Sequence, residues 1–218
     1  DVAYKLFALF YFENPNFQYW QPLTHMFMHG GLMHILFNMY ALWAFGSPLE
    51  QIWGRKKFLF FYFSAGLGAA LIHTLVNFYQ VQDGMNALLN IGISQTEIMN
   101  MLNTGQYNSG ILESVPVDRI EALYASFNIP AVGASGAIYG VLVAFGLMYP
   151  NAELMLIFLP IPIKAKYFIP LIIFGDLFFG ITGASTGVAH FAHIGGALFG
   201  FIMAYYWKKN SFDSHRWN

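Results

Sequence analysis

Apolar residues run through this chain in long blocks instead of short amphipathic periods. Five stretches carry no charge, or a single one: Gly30–Leu49, Phe58–Tyr79, Ala131–Tyr149, Tyr167–Thr182 with Asp176 inside it, and Gly187–Trp207. Each approaches the roughly 20 helical residues needed to cross a hydrocarbon core. Backbone N–H and C=O groups cannot be left unpaired in lipid, so stretches of this length and composition predict membrane helices. The fourth block is short, and the apolar run Leu154–Ile163 before it is expected to lie in the membrane interface. The chain then divides into a first outer loop (1–29), two spans within 30–79, a long outer loop (80–130), three spans within 131–207 and a tail (208–218). The expected fold class is an all-α membrane protein, a helical bundle in one domain.

Composition agrees with this pattern. Residues are 57% hydrophobic and only 10% charged, whereas soluble domains carry about 25% charged residues. The formal charge of -1, with no long basic run, removes the electrostatic footprint expected of a nucleic-acid binder. Cysteine is absent, which excludes disulfides and thiolate metal sites.

The ten Lys and Arg residues orient the bundle through the positive-inside rule. Arg55, Lys56, Lys57, Lys164, Lys166, Lys208, Lys209 and Arg216 fall on one side, and only Lys5 and Arg119 on the other. The C-terminal tail is therefore expected in the cytoplasm, and the 1–29 and 80–130 segments outside. An outside start calls for an earlier span, so a first helix is expected upstream of Asp1. Within the long outer loop, Ser94-Gln-Thr-Glu97 ahead of Ile98 and Met101 is a capping box. Asp118 followed by Glu121 is a weaker helix start. One or two short amphipathic helices are expected there, as a packing lid over the bundle or else as a surface that contacts substrate.

Polar residues inside spans are costly and face a bundle interior or a watery cavity. They form three clusters: His25, His29, His34 and Asn38; Gly133-Ala-Ser135-Gly136; and His190-Phe-Ala-His193-Ile-Gly-Gly196. Each lies at the outer end of its span, so all share a depth and can converge. Two ridges of small residues, Gly136/Gly140/Ala144 and Gly196/Gly200/Ala204, allow the two helices to approach closely and bring His193 toward Ser135. A serine hydroxyl becomes a nucleophile when a base takes its proton, and a neutral imidazole suits that task near neutral pH. His193 is the expected base. Backbone N–H groups near the helix start at Ser135, with His34 and Asn38, are the expected donors to an oxyanion. Tyr139, one turn after Ser135, is expected to pack against the His193 ring. No carboxylate is expected beside His193, so a Ser/His dyad is predicted. Asp176 is given a structural polar contact, or else a part in gating or substrate entry, and His73 a hydrogen bond within the bundle.

These segments resemble the rhomboid family of intramembrane serine proteases over essentially the whole chain. Gly133-Ala-Ser135-Gly136 fits its GxSG motif. Ala192-His193-Ile-Gly-Gly196 followed by Gly200 fits AHxxGxxxG, and His29 to Asn38 fits HxxxxHxxxN. The resemblance implies a rhomboid-like bundle with a six-helix core, of which the second to sixth helices are visible here. It implies endopeptidase activity on membrane-anchored proteins without metal or nucleotide. It assigns Ser135 as nucleophile, His193 as base, and His34, Asn38 and Gly133 to the oxyanion site, leaving Tyr139, His190, Gly196 and Gly200 in support. Where many members carry Trp-Arg in the first outer loop, this chain has Trp20-Gln21, which puts the loop's anchoring contacts in question.

Two rival readings come from other classes. His25, His29 and His34 have spacings that suggest a zinc-dependent hydrolase, although no HExxH accompanies them. A non-proteolytic protein that binds membrane clients is the other, and it leaves Ser135 and His193 without a task. The expected partners are transmembrane protein substrates and the bilayer. The expected location is a bacterial inner membrane, on the strength of the short tail.

Overall fold

The computed structural model describes residues 2–156, 159–182 and 187–211. Helix α1 (Val2–Phe7) leads into a loop closed by α2 (Gln21–Thr24) and a 3-10 turn at His25–Phe27. The first predicted span is a helical course from Leu32 to Trp53. It is α3 (Leu32–Ala41), a π-helical turn at Leu42–Gly46 and α4 (Ser47–Trp53). Pro48 explains the π turn: it has no N–H for the carbonyl one turn back and its ring crowds that carbonyl, so the helix widens there.

After a left-handed turn at Gly54, α5 runs from Arg55 to Asn90. At 1.5 Å per residue it is about 54 Å long, far more than a bilayer core requires. The helix does not stop at Tyr79, where the expected span ends, but runs on into the segment expected to be loop. The hydropathy falls at Gln80, but Val81, Gly84 and Leu88 continue a buried stripe, and the helix continues with them. They pack with Ile98 and Leu102 of α6 (Gln95–Thr104) and with Leu123 and Phe127 of α7 (Val117–Asn128), a second core outside the bundle. The Ser94–Glu97 capping box is formed at the start of α6. The weaker signal at Asp118 is not a cap, for α7 begins behind Pro116 with no side-chain cap. Arg119 instead pairs with Asp83 at 2.6 Å, joining α7 to α5.

The remaining helices are α8 (Ser135–Met148), α9 (Ala165–Thr182) and α10 (His190–Ser211). Between α8 and α9, the run expected to lie along the interface is an antiparallel strand pair, β1 (Glu153–Leu156) and β2 (Leu159–Lys164), with Glu153 opposite Lys164. Prolines on alternate positions, Pro160 and Pro162, cannot continue a helix. Arg216 and the tail beyond residue 211 lie outside the described residues.

The fold is all-α apart from this hairpin. Helix α8 sits at the centre, packed against α5, α9 and α10, and most of its residues are buried. The closest helix-to-helix approaches are made by small residues, within a core that also holds Leu49, Phe61, Tyr62, Val141 and Phe145. A Cβ placed on Gly196 would collide with the Gly136 carbonyl oxygen, and one on Gly200 with the Gly140 backbone, so α8 and α10 touch backbone to backbone. The outside is the reverse: Leu71, Leu75, Leu171, Phe174, Phe178, Leu198, Phe201 and Ile202 are all exposed. Small residues at the helix contacts under an apolar exterior are the packing of a bundle solvated by lipid. Helices α5 and α9 are long and apolar enough to cross a membrane by themselves, and α8 is shorter.

The two ends of the bundle differ. At one, Trp53 meets Trp207 edge to face at 5.2 Å, Lys57 Nζ lies 4.3 Å above the Trp207 ring, and Lys208 Nζ donates to the Leu147 carbonyl. Aromatic and basic residues so clustered suit a membrane interface. The helix starts that carry Ser135 and His193 lie at the opposite end.

Candidate active site

Ser135 is the first residue of α8, and the chain that delivers it is held from both sides. Leu9 and Ala131 exchange two backbone hydrogen bonds of 2.9 Å, and Gly133 N–H donates to the His25 carbonyl at 2.9 Å. The N-terminal loop that makes these contacts is itself anchored by Gln21, which has no exposed surface. Its amide donates to the carbonyls of Lys5 and Asn16 and its oxygen accepts from Phe10 N–H. The departure from Trp-Arg therefore leaves the loop anchored, through a neutral amide. Trp20 adds a bond to the Leu6 carbonyl. His25 is buried and donates from Nδ1 to the Gln21 carbonyl at 3.1 Å. Burial lowers its pKa from the usual histidine value.

Across the helix interface, Ser135 Oγ lies 2.8 Å from His193 Nε2 on the first turn of α10. The glycine contacts described above create this distance, since Gly136 follows Ser135 directly and Gly196 lies one turn from His193. Tyr139 stacks on the His193 ring with centroids 4.1 Å apart and planes 12° from parallel, the packing expected of it.

The absence of a carboxylate beside His193 is the expectation the structure overturns. Asp176 Oδ1 lies 3.2 Å from His193 Nδ1 and 2.5 Å from His190 Nδ1, and Tyr139 O–H donates to Asp176 Oδ2. Asp176 is buried, as is His193. An acid inside a span is a signal by itself, and its depth was open to arithmetic. Asp176 stands six residues from the C-terminal end of α9, and His193 three residues into the antiparallel α10. What sequence did not supply was the rotation of α9 that aims the carboxylate at α10.

His34 sits on the other side of Ser135. Its Nδ1 accepts from Gly30 N–H at 3.1 Å, which leaves the proton of the neutral ring on Nε2. That nitrogen lies over Gly133, so close that a Cβ at 133 would stand 2.9 Å from it and 3.5 Å from Ser135 Oγ. Gly133 also has φ 120°, a conformation glycine alone takes without strain. The lack of a side chain there keeps a space open between His34 Nε2 and Ser135 Oγ. The first-turn N–H groups of α8 are the other donors at hand, since a helix start leaves them without intrahelical partners. Asn38 is buried one turn along α3, and its amide donates to the His34 carbonyl at 2.7 Å. It supports His34, and among the described hydrogen bonds none joins it to Ser135. His29 packs edge-on against the His34 ring at 5.1 Å, and His73 accepts from Asn77 at 3.2 Å inside α5.

Among the described residues no group of three or more His, Asp or Glu side chains is arranged to hold a metal ion. His25, His29 and His34 are directed to separate tasks: a loop carbonyl, an aromatic contact and the Ser135 pocket.

A family model described as the rhomboid domain matches residues 16–210. Presenilin-associated rhomboid-like protein, mitochondrial, of Bos taurus is 31% identical over 179 residues, which is 82% of this chain and 35% of that protein. A mitochondrial rhomboid protein of Schizosaccharomyces pombe is 26% identical over 212 residues, 89% of this chain and 53% of its own length. Rhomboid protease GluP of Bacillus subtilis is 35% identical over a shorter stretch of 54 residues, 25% of this chain and 11% of that protein. The chain thus spans between about a third and a half of the length of the first two relatives.

Proposed function

Because the chain belongs to the rhomboid family, we propose that it is an intramembrane serine endopeptidase that hydrolyses membrane-anchored proteins, with Ser135 as nucleophile and His193 as base. The observation that carries this reading is the 2.8 Å hydrogen bond from Ser135 Oγ to His193 Nε2. As Oγ bonds to the scissile carbonyl carbon, its proton passes to Nε2. The carbonyl oxygen becomes an oxyanion in the space between Gly133, His34 Nε2–H and the first N–H groups of α8. When the intermediate collapses, the proton on Nε2 goes to the leaving amine and an ester remains on Ser135. Water then repeats the sequence: it gives a proton to Nε2, attacks the ester carbon, and the proton returns to Oγ as the new carboxyl product leaves.

Substrates on this reading are spans or near-span segments able to unfold locally, because a helical substrate offers no free carbonyl to Ser135. The protein is an integral membrane one. The bacterial inner membrane expected from the short tail draws no support from the relatives, several of which are mitochondrial by name. A client-binding protein without peptidase activity has no use for a serine hydroxyl held on an imidazole, which favours the enzyme.

The test is cleavage of a single-span substrate in liposomes by wild type, Ser135→Ala and His193→Ala, with and without a chelator. Both variants are expected to lose about 10³-fold or more of the rate, and the chelator to change nothing. Cutting that survives Ser135→Ala and stops with chelator would refute the serine mechanism.

A further inference from the structure

Asp176 is an expensive residue for its place. Helix α9 buries few of its side chains, Ala165, Ile169 and Asp176, so a carboxylate is the polar group of this helix that reaches the centre of the bundle. It is fully engaged there, with Oδ1 accepting from both imidazoles of α10 and Oδ2 accepting from the Tyr139 phenol of α8. All three donors belong to the immediate surroundings of Ser135. A residue needed only to tie α9 to the bundle would be served by a neutral amide or by apolar packing, either of which avoids burying a charge.

We propose, resting on the serine-peptidase reading above, that Asp176 is a positioning residue for His193, so that Ser135, His193 and Asp176 act as a three-membered relay. By accepting from Nδ1, Asp176 keeps the neutral ring in the tautomer whose Nε2 lone pair faces the serine hydroxyl. When Nε2 takes the proton of Ser135, the ring becomes a cation with its Nδ1–H on a carboxylate, and the charge is offset where it forms. No proton leaves Nδ1 in this scheme, so the proton balance of the reaction is unchanged. His190 and Tyr139 hold the carboxylate itself: His190 shares Oδ1, while Tyr139 grips Oδ2 and stacks on the ring being aimed. Two other imidazoles of the bundle are engaged elsewhere, His34 of α3 with Gly30 N–H and His73 of α5 with Asn77. Neither contacts Nδ1, so Asp176 is the one described acceptor at that nitrogen.

Asp176→Asn keeps the volume and can keep an amide oxygen on the two imidazoles, so it removes the negative charge alone. Asp176→Leu removes charge and acceptor, and Asp176→Glu restores both on a longer stem. Full-chain variants in liposomes are compared by kcat and KM on the single-span substrate, by thermal midpoint, and by the rate at which a fluorophosphonate labels Ser135. Histidine tautomers are read by 15N NMR of 15N-histidine protein, with His193→Gln assigning the signal. Losing a charge-assisted hydrogen bond predicts a fall in kcat and labelling rate of about tenfold or more for Asn, at KM within about twofold. Leu should fall further and lose the Nδ1–H signature, and Glu should recover part of the Asn loss. If Asp176→Asn matches wild type while Ser135→Ala and His193→Ala are silent, the relay is wrong and the dyad stands. If kcat falls only in step with melting, and His193 keeps its tautomer in Asp176→Leu, Asp176 is a structural staple and the proposal is overturned. Cutting by Ser135→Ala would remove the underlying reading itself.

Discussion

Substituting Gly196 by alanine should separate the two helices that create the site. The added methyl would overlap the Gly136 carbonyl oxygen, a backbone atom with no rotamer to yield. To reach ordinary contact α8 and α10 must part by about 1 Å or more. Gly136 follows Ser135 directly and Gly196 lies one turn from His193, so the separation is delivered at the site. The 2.8 Å distance from Ser135 Oγ to His193 Nε2 would then pass beyond the roughly 3.5 Å at which a hydrogen bond ceases to be one. Overpacking of this kind costs about 1–3 kcal/mol, and misplacing a reacting group by about 1 Å costs on the order of 100-fold in rate. The assay is cleavage of the single-span substrate in liposomes, with thermal unfolding in detergent read in parallel. Gly175→Ala is the comparator: it lies in α9 with nothing within 4 Å of a new Cβ, and should leave unfolding unchanged or slightly raised. Wild-type cleavage and melting in Gly196→Ala would refute the argument that backbone contact sets the Ser–His distance.

Three further outcomes are expected. Gln21→Leu should lower stability by about 2–3 kcal/mol, read by thermal unfolding, because three backbone groups lose their buried partner. It should also slow cleavage, since the loop it anchors holds Gly133. Acidification should weaken the fold through His25, whose pKa is lowered by burial. The unfolded chain binds a proton near pH 6.5 that the folded one resists, so this contribution is complete above that pH and is lost as pH falls toward the folded value. Unfolding midpoints of His25→Gln should fall less between pH 7 and pH 5 than those of wild type, and parallel curves would rule this out. The Arg119–Asp83 pair holds the Asp83 carboxyl below its usual range, but both side chains are substantially exposed. Arg119→Gln should shift the unfolding midpoint only slightly, and less in high salt; a large or salt-independent loss in unfolding titrations would contradict that.

What the amino-acid sequence determined by itself was whatever depends on residues close along the chain. Blocks of uncharged residues marked the helices, a Ser–Glu pair marked the start of α6, and glycines four apart marked the ridges along which α8 and α10 meet. The motifs around Ser135, His193 and His34 were legible because each is a short segment with its own spacing. The helix beyond Tyr79 escaped because hydropathy stops there, while its buried stripe makes sense only against α6 and α7. Gln21 looked like a missing arginine until the carbonyls around it were in place. Asp176 was visible as an acid in an apolar block, but its contacts with His193, His190 and Tyr139 depend on how α9 is turned and how far it slides along α10. Hydropathy is blind to that rotation, since lipid rewards every apolar face of α9 alike; the packing of Ala165, Ile169 and the buried carboxylate against the neighbouring helices fixes it.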